Sequence, residues 1–196
     1  MNAPATRGVR LTPVLGDIEK ILIDRHRIAG RIREMGAEIR RDLEGLSRDG
    51  EIVMVPILTG SIIFVADLMR ELPQKVRISV AAVNSYPGKS TKSKGAAIAG
   101  SLPAAADLEG KHVLIVDDIL DSGSTIRLVR QEVLARNPKS VRTCVLLRKS
   151  IPSAMNTPCE YVGFDIPDEF VVGYGLDYDN YYRNLPDVGT LKREAM

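Results

Sequence analysis

The first regular pattern in the chain is an apolar stripe of helical period. Isoleucine, methionine and leucine recur at spacings of three and four, at Ile28, Ile32, Met35, Ile39 and Leu43. Arginine and glutamate occupy many of the positions between them, as in a helix that packs one face against a core. Asp24 precedes the stripe and has a side chain suited to an N-cap. The pattern predicts a helix that begins after Asp24 and ends near Ser-Arg-Asp-Gly at 47–50.

Four other segments are strand candidates, and the first of them is apolar on both faces, as in a strand that is covered on both sides. They are residues 52–58, 76–84, 112–116 and 141–147. Helical patterns at 62–72 and 124–137 follow the first and third of these segments. Such alternation predicts an α/β fold, with a mostly parallel central sheet flanked by helices.

The remaining segments are less regular. Residues 85–110 are rich in Gly, Ser, Lys and Ala, and this stretch is long for a connection, so we expect it to be functional or mobile. Residues 159–196 contain short β-prone runs and a tyrosine cluster, which predict a small β-rich appendage. We expect residues 1–14 to be a flexible leader and 15–196 to be a single domain.

Composition and charge narrow the class of protein. The 196 residues are 44% hydrophobic and 27% charged, which is ordinary for a globular domain. A net charge of +2 gives no reason to expect nucleic-acid binding. The chain has no 18-residue apolar run, and its two cysteines lack metal-ligand spacing. These features predict a cytoplasmic protein with reduced thiols and no membrane association.

The most specific motif is Val-Leu-Ile-Val-Asp-Asp-Ile-Leu-Asp-Ser-Gly-Ser-Thr at 113–125. Asp117 and Asp118 follow a buried strand, where open α/β sheets bind their ligands. The turn at 121–125 offers hydroxyls, a glycine and a helix N-terminus, a combination that suits phosphate. The carboxylates would repel phosphate but would bind sugar hydroxyls or a divalent cation. The motif therefore favours a sugar phosphate, although an Asp-capped helix without a ligand gives a similar string.

This motif resembles the signature of type I phosphoribosyltransferases, which bind 5-phosphoribosyl 1-pyrophosphate. Further segments resemble the hypoxanthine-guanine phosphoribosyltransferases in particular, and the similarity runs from about residue 15 to 190. These segments are ILTGSIIFVADLMREL, NSY, LLRKS and VGFDIPDEFVVGYGLDYDNYYRNLPDVG. The resemblance implies the type I phosphoribosyltransferase fold, in which 159–196 would contribute a hood over the purine base.

The resemblance implies roles for the acidic motif. Asp117 and Asp118 would hold the ribose hydroxyls, directly or through Mg²⁺. Asp121 would be the general base, facing N7 of the purine. The 5′-phosphate would bind a loop made of Asp121, Ser122, Gly123, Ser124 and Thr125.

Base recognition is assigned in the same way. Lys149 would donate to the 6-oxo group, Phe170 would stack on the purine, and the Val171 backbone would contact the base edge. Asp177 would bind a second Mg²⁺ at the base-binding side of the site. Without the resemblance, Lys149 reads as a solvated strand end, Phe170 as a core residue and Asp177 as part of a solvated loop.

The pyrophosphate would bind Arg183 and a loop made of Leu58, Thr59, Gly60 and Ser61. The resemblance implies a non-proline cis peptide in this loop. Ser85 and Tyr86 match the start of a lid. Thr59 departs from the family pattern, since many relatives carry Lys or Arg there.

The resemblance implies an enzyme of purine salvage. It would transfer the phosphoribosyl group from phosphoribosyl pyrophosphate to N9 of hypoxanthine or guanine, giving IMP or GMP and pyrophosphate. A homodimer or homotetramer is expected. Two alternatives stay open: a xanthine-preferring enzyme of this class, and a regulatory protein of the same fold that binds nucleic acid.

Overall fold

The computed structural model describes residues 15–44, 52–83 and 102–196. Its strands are β1 (Ile18–Ile23), β2 (Ile52–Leu58), β3 (Val76–Ile78), β4 (Ala81–Ala82), β5 (His112–Leu120), β6 (Ser140–Lys149), β7 (Tyr161–Ile166) and β8 (Val188–Leu191). Its α-helices are α1 (Arg25–Leu43), α2 (Ile62–Leu68), α3 (Ala105–Leu108), α4 (Ser124–Leu134) and α5 (Pro152–Met155). Two 3₁₀ turns cover Met69–Glu71 and Arg193–Ala195. The leader predicted at 1–14 lies outside the described residues.

The main sheet has the order β3-β2-β5-β6-β7, and every pair in it is parallel. Strand β4 pairs with the end of β2, also in parallel. The central strand β5 is buried on both faces: Leu114 and Val116 pack with α1 and α2, and Val113 and Ile115 with α3 and α4. The predicted α/β fold with a mostly parallel sheet is confirmed.

Helix α1 follows its predicted pattern. All five residues of the apolar stripe are buried. The Asp24 carboxylate accepts hydrogen bonds from the backbone N–H groups of His26 and Arg27, as an N-cap does. The helix covers one face of the sheet next to α2.

A second, two-stranded sheet is formed by β1 and β8, which pair in antiparallel fashion. A bridge from Val172 to Gly189 extends it toward the C-terminal segment. The first strand within 159–196, β7, belongs instead to the main sheet, where it pairs with β6. The β-rich appendage is therefore built from the segments after β7 together with β1 near the N-terminus.

Several elements differ from their predicted bounds. The helix predicted at 124–137 spans Ser124–Leu134, and the strand predicted at 141–147 spans Ser140–Lys149. Strand β5 continues through the acidic pair to Leu120, because Ile119 and Leu120 pair with Leu147 and Arg148 on β6. The strand predicted at 76–84 divides into β3 and β4, with Ser79 donating its N–H to the Met54 carbonyl between them. The helix predicted at 62–72 ends as a 3₁₀ turn from Met69.

Both cysteines are free, as predicted. Cys144 is buried and Cys159 is half-buried. Burial raises the pKa of the Cys144 thiol well above its ordinary value and that of Cys159 to about 11. In the described parts of the chain, no helix is both long enough and apolar enough to span a membrane.

Candidate functional site

The acidic pair lies in β5, two residues before the end of the strand. Asp117 is only 6% exposed, and its Oδ1 accepts the N–H of Asp118 at 3.0 Å. Burial and the charge of Asp118 raise the pKa of Asp117 well above its ordinary value. Burial also raises the pKa of Asp118. Two adjacent carboxylates whose pKa values are raised in this way are stabilised by a divalent cation or by hydroxyl donors. These are the ligands expected from the sequence.

The predicted phosphate loop lies between β5 and α4. Gly123 precedes the helix with φ of 80°, a left-handed conformation that favours glycine. The hydroxyls of Ser122 and Ser124 lie 2.5 Å apart and form a hydrogen bond with each other. Helix α4 has 11 residues, and its N-terminal N–H groups and dipole favour an anion at that end.

The loop predicted to bind pyrophosphate follows β2. Its Leu58–Thr59 peptide bond is cis, which confirms the conformation that the resemblance implied. The Ser61 hydroxyl is buried and donates to the Ile57 carbonyl at 2.6 Å, which fixes the turn into α2. Thr59 itself is exposed.

Glycines bring this loop against the acidic pair. A β-carbon on Gly60 would overlap the Asp118 carboxylate, so this backbone approaches the acid as only glycine can. A β-carbon on Gly175 would overlap the Gly60 carbonyl. Three segments that are far apart in sequence therefore meet at one point, beside Asp118.

Arg183 joins the C-terminal segment to this point. Its Nη1 donates to the Gly175 carbonyl at 2.7 Å, and its Nη2 lies 2.7 Å from Asp177 Oδ1. The positive charge of Arg183 acts to lower the pKa of Asp118, although burial has the larger, opposite effect. The second Asp177 oxygen accepts the N–H of Asn180. Asp177 is therefore held by Arg183 and would have to exchange this contact to bind a metal.

Lys149 is at the last position of β6, next to the phosphate loop. Its Nζ lies 3.1 Å from Asp121 Oδ1 and 2.9 Å from Asp168 Oδ1, and its side chain is only 12% exposed. Burial by itself would lower the pKa of Lys149, but hydrogen bonds to Asp168 and Asp121 raise it above its ordinary value. Lys149 is thus a half-buried, charged donor. Sequence reasoning did not find Asp168, which looks like any exposed loop aspartate.

The residues predicted to contact a purine follow Asp168 directly. Phe170 is 50% exposed, and its ring meets Tyr178 edge to face at 5.7 Å between centroids, so it is not a core residue and part of its side chain is accessible to a ligand. Val171 is buried, which anchors the backbone there. Ser85 and Tyr86, predicted to begin a lid, lie outside the described residues.

The number of carboxylates in the site limits how a magnesium ion could bind. Within 15–44, 52–83 and 102–196, no group of three or more His, Cys, Asp or Glu side chains could hold a metal. Mg²⁺ usually binds one or two carboxylates and completes its shell with water and substrate phosphates. The Asp117–Asp118 pair suits that arrangement, because a cation would offset the repulsion between the two buried acids.

Sequence reasoning also missed Arg127 and Thr157, which contact the phosphate loop from outside. Arg127 donates to the Ser122 carbonyl at 3.0 Å and to the Thr157 hydroxyl at 2.6 Å. An arginine on a helix face carries no sequence signal for such a contact.

Comparisons with known proteins agree with this geometry. Residues 20–179 match the family model of the phosphoribosyl transferase domain. The hypoxanthine-guanine phosphoribosyltransferase of Mycobacterium tuberculosis (strain CDC 1551 / Oshkosh) is 44% identical over 90% of this chain and 87% of that protein. A hypoxanthine phosphoribosyltransferase structure from Staphylococcus aureus is 36% identical, with a TM-score of 0.82, and covers 94% of this chain and 97% of its own. A hypoxanthine-guanine-xanthine phosphoribosyltransferase structure is 33% identical, with a TM-score of 0.77, over 90% and 99% of the two chains.

Proposed function

The chain belongs to the phosphoribosyltransferases, among the hypoxanthine-guanine enzymes, and on this premise we propose the reaction that it catalyses. It transfers the 5-phosphoribosyl group of phosphoribosyl pyrophosphate to N9 of hypoxanthine or guanine, in a Mg²⁺-dependent reaction of purine salvage. The bond from ribose C1 to the pyrophosphate oxygen breaks and the bond to N9 forms. The products are IMP or GMP and pyrophosphate.

One observation carries this proposal: the contact between Lys149 and Asp121. It joins a half-buried ammonium, suited to a 6-oxo acceptor, to the first residue of the phosphate loop. A purine placed on Phe170 with its 6-oxo group on Lys149 has its imidazole side near Asp121. Asp121 then accepts the N7 proton as N9 attacks C1.

The other residues bind and orient the phosphoribosyl substrate. The 5′-phosphate binds the loop at 121–125, and the ribose hydroxyls bind Asp117 and Asp118. Pyrophosphate binds the loop at 58–61 and Arg183, whose guanidinium suits phosphate oxygens. Mg²⁺, held by the acidic pair and the substrate, would supply charge neutralisation for the leaving pyrophosphate. Placing the two reactants in line supplies much of the rate enhancement.

Asp177 is the least direct of the proposed metal ligands. Its Oδ1 is paired with Arg183 in the structure. We assign it a role at the second Mg²⁺ only after Arg183 has turned toward pyrophosphate. Arg183 would leave Asp177 for pyrophosphate, and Asp177 would then be free to bind the metal. This exchange would couple metal binding to pyrophosphate binding.

The preference among bases needs its own test, since one similar structure is named for xanthine as well as for hypoxanthine and guanine. Pyrophosphate release is measured with phosphoribosyl pyrophosphate, Mg²⁺ and each of hypoxanthine, guanine, xanthine and adenine. We expect turnover with the 6-oxopurines and little with adenine, which presents a donor where Lys149 needs an acceptor. If turnover were highest with xanthine, the protein would be a xanthine-preferring enzyme and the assignment to hypoxanthine and guanine would be wrong. No turnover with any base would contradict both.

We also propose a cytoplasmic homodimer or homotetramer. Two free thiols of raised pKa suit a reducing compartment. Light scattering of the purified chain measures the number of subunits, and a monomeric mass at working concentration would contradict this part.

A further inference from the structure

We propose that Arg127 and Thr157 form a clamp that holds the phosphate loop at 121–125 in its binding conformation. Arg127 Nη2 donates to the Ser122 carbonyl at 3.0 Å, and its Nη1 donates to the Thr157 hydroxyl at 2.6 Å. The clamp rests on the proposed function, because it assumes that this loop binds the 5′-phosphate. Both residues are positioning residues and neither contacts the reacting atoms.

The anchor of the clamp is buried and fully hydrogen-bonded. Thr157 is 3% exposed, and its hydroxyl donates to the Ser153 carbonyl at 2.8 Å while it accepts from Arg127. Its backbone N–H donates to the Ala154 carbonyl. Thr157 therefore has a fixed position relative to α5, which follows the strand that carries Lys149.

Gly123 shows how closely the loop lies on this anchor. A β-carbon on Gly123 would overlap both the Thr157 hydroxyl and the Arg127 guanidinium. The backbone at Gly123, with its left-handed conformation, thus packs directly on the pair. Gly123 is thus in close contact with the pair, and the hydrogen bond from Arg127 to the Ser122 carbonyl ties the neighbouring residue to it.

This arrangement matters for phosphate binding because the donors of the loop are its own N–H groups and hydroxyls. Their directions depend on the backbone at Ser122 and Gly123, and the clamp contacts both of these residues. A loop that is already ordered loses less entropy when the ligand binds. A small misplacement of the donors has a large effect on rate and affinity.

A simpler role for Arg127 is to add positive charge near the phosphate. A lysine in place of Arg127 distinguishes the clamp from a role of charge alone. Lysine keeps the charge but lacks the planar fork that bonds the Ser122 carbonyl and the Thr157 hydroxyl together. If Arg127 acts as a clamp, Arg127→Lys behaves like Arg127→Gln; if it acts by charge, only Arg127→Gln is impaired.

The test measures KM for phosphoribosyl pyrophosphate and for hypoxanthine in four single variants and one double variant. We expect Arg127→Lys, Arg127→Gln and Thr157→Val each to raise KM for phosphoribosyl pyrophosphate about tenfold, with KM for hypoxanthine nearly unchanged. Thr157→Ser keeps the hydroxyl and should have the wild-type KM for phosphoribosyl pyrophosphate. In the double variant Arg127→Gln/Thr157→Val, the effects should not add, because the two residues act as one unit.

Two controls separate the clamp from general destabilisation and from failure of the proposed function. Arg33→Gln removes an exposed arginine on α1 and should leave both KM values unchanged. Calorimetric binding of ribose 5-phosphate, which needs no turnover, should weaken by the same factor in the clamp variants. A wild-type KM in Arg127→Lys, or equal increases for both substrates, would overturn the clamp. Absence of turnover in the wild type would instead contradict the proposed function.

Discussion

The ammonium of Lys149 lies 3.1 Å from a carboxylate oxygen of Asp121, so the proposed purine-recognition donor and the proposed general base form an ion pair. Asp168 holds the same ammonium from the other side, at 2.9 Å. A bound 6-oxopurine would exchange the Lys149–Asp121 contact for one with its oxygen. Recognition of the base and release of the Asp121 carboxylate toward N7 would therefore occur together.

Lys149→Ala tests recognition. Loss of the ammonium removes the donor for the 6-oxo group, and we expect the preference for hypoxanthine over adenine in kcat/KM to fall by at least tenfold. Asp168→Asn keeps Lys149 but removes one of its anionic partners, so it should raise KM for hypoxanthine with a smaller loss of preference. Steady-state kinetics with both bases provide the measurement. An unchanged ranking of the two bases in Lys149→Ala would refute the assignment.

Asp121→Asn tests the general base. The amide is nearly the same size as the carboxylate but cannot take up a proton, and we expect kcat to fall by about 10²–10⁴. Binding of IMP, measured by calorimetry, should change little because the loop keeps its shape. Glu109→Gln, an exposed carboxylate after α3, is the matched control and should have wild-type kcat. Full activity of Asp121→Asn would show that another group accepts the proton.

The elements with strong local patterns were predictable from the sequence. The stripe of α1 and its Asp24 cap depend on neighbours within a few residues, and the structure confirms both. The central strands were predictable because they are apolar on both faces. The pairing of β1 with β8 was not, because it joins residues at the two ends of the chain without a local turn to mark it.

In the candidate site, too, local motifs were predictable from the sequence, whereas contacts between distant segments were not. The acidic motif and the Ser-Gly-Ser-Thr turn are local and specific, so they pointed to a sugar phosphate. Asp168, Arg127 and Thr157 have common side chains in ordinary sequence contexts. Their roles come from contacts between separate segments, such as that between Arg127 and Thr157, which are 30 positions apart, and no sequence period encodes such a contact.

Gly60→Ala tests the close approach of the pyrophosphate loop to Asp118. The new methyl group would overlap the carboxylate, so either the loop or the acid must move. We expect kcat/KM for phosphoribosyl pyrophosphate to fall by about a hundredfold, since both groups are proposed to bind that substrate. Steady-state kinetics and a thermal melt are measured together, so that lost activity can be separated from lost folding.

Gly30→Ala is the matched control for that substitution. A β-carbon on Gly30 would have open space around it, in the second turn of α1. Alanine favours the helix over glycine, and we expect stabilisation by about 0.5–1 kcal/mol with unchanged kinetics. A similar loss of kcat/KM in Gly60→Ala and Gly30→Ala would show that the effect of the added methyl group does not depend on the contact with Asp118.

Asp187→Asn tests the link between α1 and the segment before β8. Asp187 accepts from the backbone N–H of Arg25 at 2.8 Å and pairs with its guanidinium at 2.9 Å. The side-chain hydrogen bonds from Arg25 lower the pKa of Asp187 in the folded protein below its ordinary value. The pair therefore stabilises the fold above the unfolded-state pKa of about 4, and this contribution is lost as pH falls through the lower, folded-state pKa.

We expect Asp187→Asn to lower the melting temperature by about 2–4 °C at pH 7. The difference from the wild type should shrink below about pH 4, where Asp187 becomes protonated in the wild type as well. Calorimetric melts between pH 7 and pH 3 provide the measurement, and raising the salt concentration should reduce the difference at pH 7 because Arg25 is half exposed. A difference that stayed constant down to pH 3 would show that the carboxylate acts by its shape and hydrogen bonds, with no contribution from its charge.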